Sequence, residues 1–458
     1  MMSSFDAIIV GAGQAGPPLA GRLTAAGMKV ALVERKQFGG TCVNTGCTPT
    51  KTMVASAYVA HMARRASEYG VVLREPVDVD MARVSARAAE LAASSREGVE
   101  ARLRSMSGCT VIEGHARFES ADTLSVAGQR LKAAKIFINV GGRASVRGIE
   151  GADSVAYLTN RSILELQDVP RHLVVVGGSY VGLEFAQMFR RFGAEVSIVE
   201  KGPRLIARED PEVSEMIAAI LQAEGIAIRN AAECIALAPH PQGVEVRVQC
   251  AESPSSLVAS DVLLAIGRQP NTDDLGLDRA GVAVDERGYI HVDEHLATNV
   301  PGIWALGDCN GRGAFTHTAY NDFEIVADNL LEGAQRRVSD RVPAYALYID
   351  PPLGRAGMTE TQARASGKPL LIGRGEMSQV SRAIEKGETL GFMKIIVDAH
   401  TRRILGASIL GVGGDEAVHG IIDVMNAGLP YTALQHAVPI HPTVSELIPT
   451  MLGELQPG

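Results

Sequence analysis

One folding unit, present twice at the same internal spacing, constrains this chain of 458 residues more than any other feature. Ala7-Ile8-Ile9-Val10 is a short apolar run of the kind a buried parallel strand requires. The turn Gly11-Ala12-Gly13-Gln14-Ala15-Gly16 follows, then a small-residue helix pattern through Leu23, then a second strand from Lys29 to Val33 that ends at Glu34. Gly11 permits the tight turn, Gly13 lets a pyrophosphate approach the backbone, and Gly16 allows helix and strand to pack closely. The helix N-terminus then favours phosphate charge, and Glu34, 23 positions after Gly11, accepts from a ribose hydroxyl. A single turn of this kind is weak evidence, because glycines also serve packing. Its recurrence is strong evidence. Leu173-Val174-Val175-Val176 leads into Gly177-Gly178-Ser179-Tyr180-Val181-Gly182, a helix follows, and a strand ends at Glu200, again 23 positions on. Ser179 stands where the second glycine would be and makes the approach slightly less open. Each unit is followed by an apolar strand closing on glycine, Ile136 to Gly141 and Val262 to Gly267. Two dinucleotide sites in one chain imply two cofactors that meet.

Composition narrows the remaining possibilities. With 46% hydrophobic and 21% charged residues the chain is of ordinary globular type. At ~100–200 residues per domain it divides into about three compact units. A net charge of −8 offers no electrostatic footprint for nucleic acid or anionic lipid, so neither is expected as a partner. Six scattered cysteines do not make a disulfide framework and suggest a reducing compartment. The N-terminus lacks a basic segment and a signal-length apolar run. Val424 to Ser445 carries no Asp, Glu, Lys or Arg, but Pro430, Pro439, Pro442, His436 and His441 would break and wet a membrane helix there. The sequence reads as soluble and cytoplasmic.

Two cysteines lie between the first acidic residue and the next helix, in Gly40-Thr41-Cys42-Val43-Asn44-Thr45-Gly46-Cys47-Thr48-Pro49-Thr50-Lys51. Five positions of regular helix separate two residues by ~7.5 Å along the axis, beyond the ~4.4–6.8 Å Cα spacing of a disulfide. If they pair, Cys42 sits on a bent segment before the helix, with Gly46 as the bend and Cys47 near the helix start, where the dipole lowers a thiol pKa. Half of a zinc site and a pair of inert thiols are the competing readings. The spacing is at the long end for zinc and no second C-x-x-C occurs, so no metal site is expected. Cys109, Cys234, Cys250 and Cys309 are read as ordinary buried thiols.

At this point the chain resembles the FAD-dependent pyridine nucleotide–disulfide oxidoreductases, the class of dihydrolipoyl dehydrogenase, glutathione reductase, mercuric reductase and the reactive-chlorine resistance flavoprotein. The resemblance runs over essentially the whole length. It is carried by the first glycine turn with Glu34, the Gly40–Lys51 motif, Gly182-Leu183-Glu184-Phe185-Ala186, Gly267-Arg268-Gln269-Pro270-Asn271, Trp304-Ala305-Leu306-Gly307-Asp308 and His441-Pro442-Thr443-Val444-Ser445-Glu446. Pro351 to Thr359 and Asn426 to Tyr431 read like the mercuric-reductase and chlorine-resistance branches.

The resemblance implies an α/β fold: two Rossmann-like three-layer domains and a C-terminal α+β interface domain. Residues 1–150 and 271–340 would carry FAD, 151–270 the nicotinamide nucleotide, and 341–458 the dimer interface, after a charged linker at Arg336–Arg341. It implies FAD on Gly11, Gly13, Gly16, Glu34, Thr41, Lys51, Ala116, Gly141 and Asp308, and NADH or NADPH on Gly177, Tyr180, Gly182, Glu200 and Gly267. Tyr180 would gate the nicotinamide pocket. Cys47 would be the thiolate against the flavin and Cys42 the interchange thiol. Lys51 would pair with Glu184 near the reacting flavin nitrogen. His441, its tautomer set by Glu446, would serve Cys42 of the other subunit of a homodimer. The acceptor would be a small disulfide, a thiol-reactive oxidant or a metal ion. Dihydrolipoyl dehydrogenase is the alternative enzyme, and a flavin-binding redox sensor without turnover the alternative of a different class. No cysteine follows Cys309, so the vicinal C-terminal pair of mercuric reductases is missing and efficient mercury reduction is not expected. Glu200 favours NADH by repelling a 2′-phosphate, tempered by Lys201 and Arg204.

Overall fold

The computed structural model describes residues 2–250 and 253–458, with the side chains of 249–255 outside the description. Strand β1 (Met2–Val10) starts five residues before the apolar run, because Met2–Phe5 pair with Arg130–Ala133. It is followed by α1 (Gly16–Ala25), β2 (Val30–Glu34), α2 (Gly40–Thr45), α3 (Cys47–Arg64), α4 (Met81–Arg104) and β3 (Cys109–Glu113). An antiparallel pair, β4 (Arg117–Ser120) and β5 (Thr123–Val126), then leads into β6 (Gln129–Ile138). The parallel part of the sheet runs β3-β2-β1-β6, with β16 (Ile303–Ala305) returning beside β6. Ile8 and Val10 join one hydrophobic cluster while Ala7 and Ile9 join another on the opposite face. Covered on both faces, β1 has no polar position to alternate with, hence its continuous apolar run.

The second unit repeats this plan. After the short β7 (Gly142–Ala144) come β8 (His172–Val176), α5 (Tyr180–Phe192), β9 (Glu195–Val199), α6 (Pro211–Ala223) and β10 (Ala227–Arg229). A three-stranded antiparallel sheet of β11 (Ala232–His240), β12 (Gly243–Cys250) and β13 (Ser253–Ala259) precedes β14 (Asp261–Leu264). The parallel order is β10-β9-β8-β14. The chain leaves the first domain through β7 and re-enters beside it through β15 (Arg268–Pro270). In both parallel sheets the glycine turn lies at the carboxyl end of the strand where the order reverses, the place where open α/β sheets bind ligands.

After a single turn, α7 (Leu277–Ala280), and the long α8 (Thr316–Glu332), the third domain is an antiparallel sheet. Its strands are β17 (Ala344–Leu347), β18 (Leu353–Gly357), β19 (Leu370–Glu376), β20 (Phe392–Asp398), β21 (Ile404–Leu410) and the short β22 (Gln456–Pro457). It carries helices α9 (Glu360–Ala365), α10 (Ser381–Glu385), α11 (Gly414–Ala417), α12 (His419–Asn426), α13 (Thr432–Gln435) and α14 (Leu447–Gly453).

The charged linker Arg336–Arg341 is tied down, and one expectation about the cysteines is corrected. Arg336 pairs with Asp328 at 2.5 Å, and Arg341 reaches back to Asn321 at 2.8 Å and to the buried Asp322, so the segment is strapped to α8 by partners up to 20 residues upstream. Cys234 is exposed, because β11 is an edge strand of its sheet; Cys109 is half-buried, Cys309 is buried, and Cys250 lies outside the described side chains. In β20 all seven positions are buried, Lys394 included, whose ammonium meets Asp210 before α6 and Glu360 of α9. Among the described residues no helix is long and apolar enough to cross a membrane.

Candidate active site

Gly46 separates the two cysteine-bearing helices with backbone angles of φ −134° and ψ −121°. A Cβ there would come within 2.8 Å of the Thr41 carbonyl, so the break is as tight as a residue without a side chain allows. Cys42 lies on its own short helix α2, where a merely bent segment was expected, and the reversal at Gly46 returns its thiol to Cys47. Both cysteines are free, and each is the first influence on the other's protonation. Cys47 is the first residue of the 18-residue α3. Its sulfur also lies 3.2 Å from Oγ1 of Thr316, the first residue of α8. Two helix N-termini therefore converge on one sulfur and favour its anion.

The pair is polarised accordingly. The Cys47 thiol is lowered from 9.0 to about 6, first by the hydrogen bond from Cys42, then by Thr316 and the charge of Lys51, against the opposing effect of burial. Cys42 moves strongly upward, because its proton is held in the bond to Cys47 and because it is partly desolvated. One proton serves two sulfurs, so the two titrate as a unit.

Lys51, one turn beyond Cys47 on α3, donates to Glu184 Oε2 of α5 at 2.5 Å, and the glutamate is only 7% exposed. The other oxygen, Oε1, accepts from the Tyr348 backbone N–H at 3.0 Å, and the Lys51 ammonium sits 4.4 Å from the Tyr348 ring centroid. The ion pair thus joins all three domains beside the cysteines. Tyr180, at the start of α5, lies edge-on to Phe315 and Tyr345.

The two acidic residues occupy equivalent places. Glu34 accepts from the backbone N–H of Ala12 (2.9 Å) and Lys36 (2.8 Å), and Glu200 from Gly178 and Gly202 (both 2.6 Å). Each carboxylate ties the glycine turn to the loop after the second strand, and each oxygen retains a lone pair for a ribose hydroxyl. Neither is the loosely solvated strand end that acidic residues in such positions usually are. Arg204 donates to the carbonyls of Ala207 (3.3 Å) and Glu209 (3.4 Å) within its own loop.

Asp308 opens a 3-10 turn, Gly307–Asn310, and accepts from Arg268 Nε at 3.2 Å. Thr41 donates from Oγ1 to the Gly142 carbonyl at 3.4 Å, and Ala116 is buried just after β3. His441 Nδ1 is 2.9 Å from Glu446 Oε2 and its side chain is 74% exposed. Among the described residues no hydrogen bond or ion pair joins His441 to either cysteine of its own chain. Thr316, Tyr348 and Asp322 were not anticipated. Asp322 is buried, accepts from Gly307 N–H (2.8 Å) and Asn310 Nδ2 (2.9 Å), and so shapes the turn that presents Asp308. Thr316 and Tyr348 stand 269 and 164 positions from the groups they touch. No local sequence pattern signals such contacts.

The family profile described as pyridine nucleotide-disulphide oxidoreductase matches residues 5–322, and that of the corresponding dimerisation domain matches 343–452. The chain belongs to the pyridine nucleotide–disulphide oxidoreductase family. It is 37% identical over 97% of its length to the probable pyridine nucleotide-disulfide oxidoreductase RclA of Escherichia coli, covering 98% of that protein. A mercuric reductase of Streptomyces lividans is 32% identical (97% and 95% covered), and a dihydrolipoyl dehydrogenase of Thermus scotoductus 30% identical (97% and 96%). Among solved structures, the Cu(II) complex of the HOCl-induced flavoprotein disulfide reductase RclA from Escherichia coli superposes with a TM-score of 0.89, at 35% identity and covering 99% of this chain and 100% of that one.

This family is FAD-dependent and uses a pyridine nucleotide, and the residues of the first turn fit the larger cofactor. A Cβ on Gly11 would meet the Asn139 carbonyl oxygen at 2.2 Å, and one on Gly16 the Gly11 carbonyl oxygen at 2.3 Å. Packing alone demands both glycines. On Gly13 a Cβ would find nothing nearer than the Asn139 amide at 3.4 Å. The protein by itself has room for a side chain there, so the glycine keeps space for something that is not protein. The second turn carries Ser179 at the equivalent position, between Gly177 and Gly182, whose Cβ atoms would likewise strike carbonyl oxygens at 2.4 and 2.1 Å.

Proposed function

We propose that the protein is an NAD(P)H-dependent flavoenzyme that reduces a small disulfide, a thiol-reactive oxidant or a metal ion through a redox-active Cys42–Cys47 pair. The observation that carries this reading is the polarised thiol pair beside the Lys51–Glu184 ion pair, between two nucleotide turns. When bound, FAD supplies the relay by which the electron pair of reduced nicotinamide reaches a disulfide. Gly11, Gly13 and Gly16 with the α1 N-terminus hold its pyrophosphate and Glu34 its ribose, while the backbones of Ala116 and Gly141, with Thr41, Lys51 and Asp308, line the remainder. Gly177, Gly182, Gly267 and Glu200 hold the nicotinamide nucleotide, with NADH preferred.

The protein residues then divide the thiol chemistry. Two electrons and one proton convert the Cys42–Cys47 disulfide to a thiol at Cys42 and a thiolate at Cys47, the distribution that the hydrogen bonding stabilises. His441 of a second subunit, its Nδ1 engaged by Glu446, takes the Cys42 proton at Nε2. Cys42 attacks a disulfide substrate and forms a mixed disulfide, and the departing thiolate receives that proton. Cys47 then attacks the Cys42 sulfur and expels the second half of the substrate as a thiolate, which takes a proton from solvent as the disulfide is restored. The dimerisation-domain match and the exposed Val438 and Ile440 beside His441 support a homodimer with a shared site. A cytoplasmic location is part of this reading. The relative's description as HOCl-induced, and its copper complex, support an oxidant or metal ion as acceptor. The test is a panel of lipoamide, glutathione disulfide, Hg²⁺, Cu²⁺, hypothiocyanite and quinones, with NADH and NADPH separately. Lipoamide as the best acceptor selects a dihydrolipoyl dehydrogenase, and no turnover with any acceptor selects a sensor.

A further inference from the structure

Besides the contacts of Glu184, Gln187 and Arg191 with Tyr348 and Asp350, the nucleotide domain is fastened to the third domain at a short charged segment, Glu209 to Glu212. Asp210 accepts from the backbone N–H groups of Glu360 (2.8 Å) and Thr361 (3.0 Å). The buried Lys394 ammonium joins Asp210 (3.1 Å), Glu360 (2.9 Å) and Glu212. Glu209, with 0% of its side chain exposed, faces Arg355 Nε of β18 at 3.2 Å, and Arg355 Nη1 donates to the carbonyls of Ala356 (3.1 Å) and Ala407 (2.6 Å). A buried ion pair is weak evidence for stability, but it does define where its members sit.

Held this way, Glu209 presents its other oxygen to two tyrosines. Tyr345 donates to Oε1 at 2.5 Å, and Tyr180 reaches the same atom at 3.4 Å. The rings form one cluster. Tyr345 and Phe315 stack at 5.6 Å and 16°, and Tyr180 stands edge-on to Tyr345 at 5.5 Å and to Phe315 at 6.1 Å. Each ring comes from a different domain, and Phe315 immediately precedes Thr316, which touches Cys47. The unequal sharing is the informative feature. The residue that stays has the short bond, and the residue that has to swing aside for a nicotinamide ring has the long one.

We propose that Glu209 and Tyr345 are positioning residues for nucleotide binding: they form the seat on which Tyr180 rests, and Tyr345 takes the stronger share of Glu209 Oε1 so that Tyr180 is held loosely enough to leave. This rests on the reading of Tyr180 as the nicotinamide gate. Replacing Glu209 would strand a buried Arg355, so the decisive variant is Tyr345→Phe, which keeps the stacked ring and removes one hydroxyl. Tyr180 then becomes the sole donor to Oε1 and its seat deepens.

The experiment titrates NAD⁺ into oxidised holoenzyme by calorimetry and measures KM and kcat for NADH in the native protein, Tyr345→Phe, Tyr180→Phe, the double variant and Tyr180→Gly. The expected result is a Kd for NAD⁺ and a KM for NADH raised about three- to tenfold in Tyr345→Phe, the worth of one ordinary hydrogen bond. Reduction of the acceptor by prereduced enzyme stays unchanged, and Tyr345→Phe has no further effect in the Tyr180→Phe background. Unchanged Kd and KM in Tyr345→Phe, or a loss that persists without the Tyr180 hydroxyl, overturns the proposal. If Tyr180→Gly leaves nucleotide binding and kinetics untouched, the gate reading falls and takes this one with it. If Tyr180→Gly alters them while Tyr345→Phe does not, the gate stands and the seat alone is refuted.

Discussion

The Cys47 thiolate owes its stability to a neighbour that can be removed in two ways. A thiol lowered to about 6 is about nine-tenths ionised at pH 7, whereas one at its ordinary 9.0 is almost entirely protonated. The largest cause is the hydrogen bond from Cys42, ahead of Thr316 and Lys51. A hydrogen bond to a charged acceptor contributes about 1.5–3 kcal/mol, which at about 1.4 kcal/mol per pKa unit is one to two units of pH. The expected change lies at the lower end, about one unit, because Thr316 and Lys51 still favour the anion when the Cys42 donor is gone. Cys42→Ser keeps a donor at that place and Cys42→Ala removes it. Each variant has a single thiol in the site, so its titration belongs to Cys47 alone. The readout is the long-wavelength absorption of a thiolate beside oxidised flavin, followed from pH 4.5 to 9.5 in both holoenzymes. Because the native-state pKa is depressed, the band is present above the midpoint and is lost as pH falls through it. Cys42→Ser is expected to titrate near pH 6, and Cys42→Ala about one unit or more higher. Equal midpoints in the two variants, or a midpoint above 8 in Cys42→Ser, would refute the assignment of Cys42 as proton donor to Cys47.

Three further outcomes are expected. Gly13→Ala folds with a melting temperature within a few degrees of the native apoprotein but binds FAD more weakly, whereas Gly11→Ala and Gly16→Ala lose stability because their Cβ atoms would overlap carbonyl oxygens; a marked loss of apoprotein stability in Gly13→Ala would contradict the first part. Mixing inactive His441→Ala and Cys42→Ser protomers regenerates activity in heterodimers with one intact composite site, and proven subunit exchange without recovery argues against a shared site. Native protein has a higher kcat/KM for NADH than for NADPH, and Glu200→Ala narrows the ratio; the loss of the Gly178 and Gly202 bonds weakens both nucleotides alike, so an unchanged ratio shows that Glu200 does not read the ribose.

Local chemistry was legible in the chain. The two glycine turns, the acidic residues 23 positions on and the cysteine pair with its glycine break all act through neighbours a few residues away, and steric rules act at that range. The structure bears out the turn geometry at Gly11, Gly16 and Gly46 for that reason. The Lys51–Glu184 pair spans 133 positions and was reached through family resemblance, since alone Lys51 reads as a surface lysine.

What lay outside the sequence is contact between distant segments. Arg336–Arg341 reads as a charged linker, and only the folded chain brings Asp322 and Asp328 of α8 against it. Lys394 sits in a strand buried along its whole length, and the docking of Asp210 and Glu212, with Glu360, permits an ammonium there. Thr316 on Cys47, Tyr348 on Glu184 and the pair of tyrosines on Glu209 are likewise matters of packing. A side chain's own neighbours in sequence determine whether it can turn a chain, cap a helix or approach a phosphate. Its protonation and its hydrogen-bond partner depend on charges and dipoles within a few ångströms, and in this protein those arrive from all three domains at once.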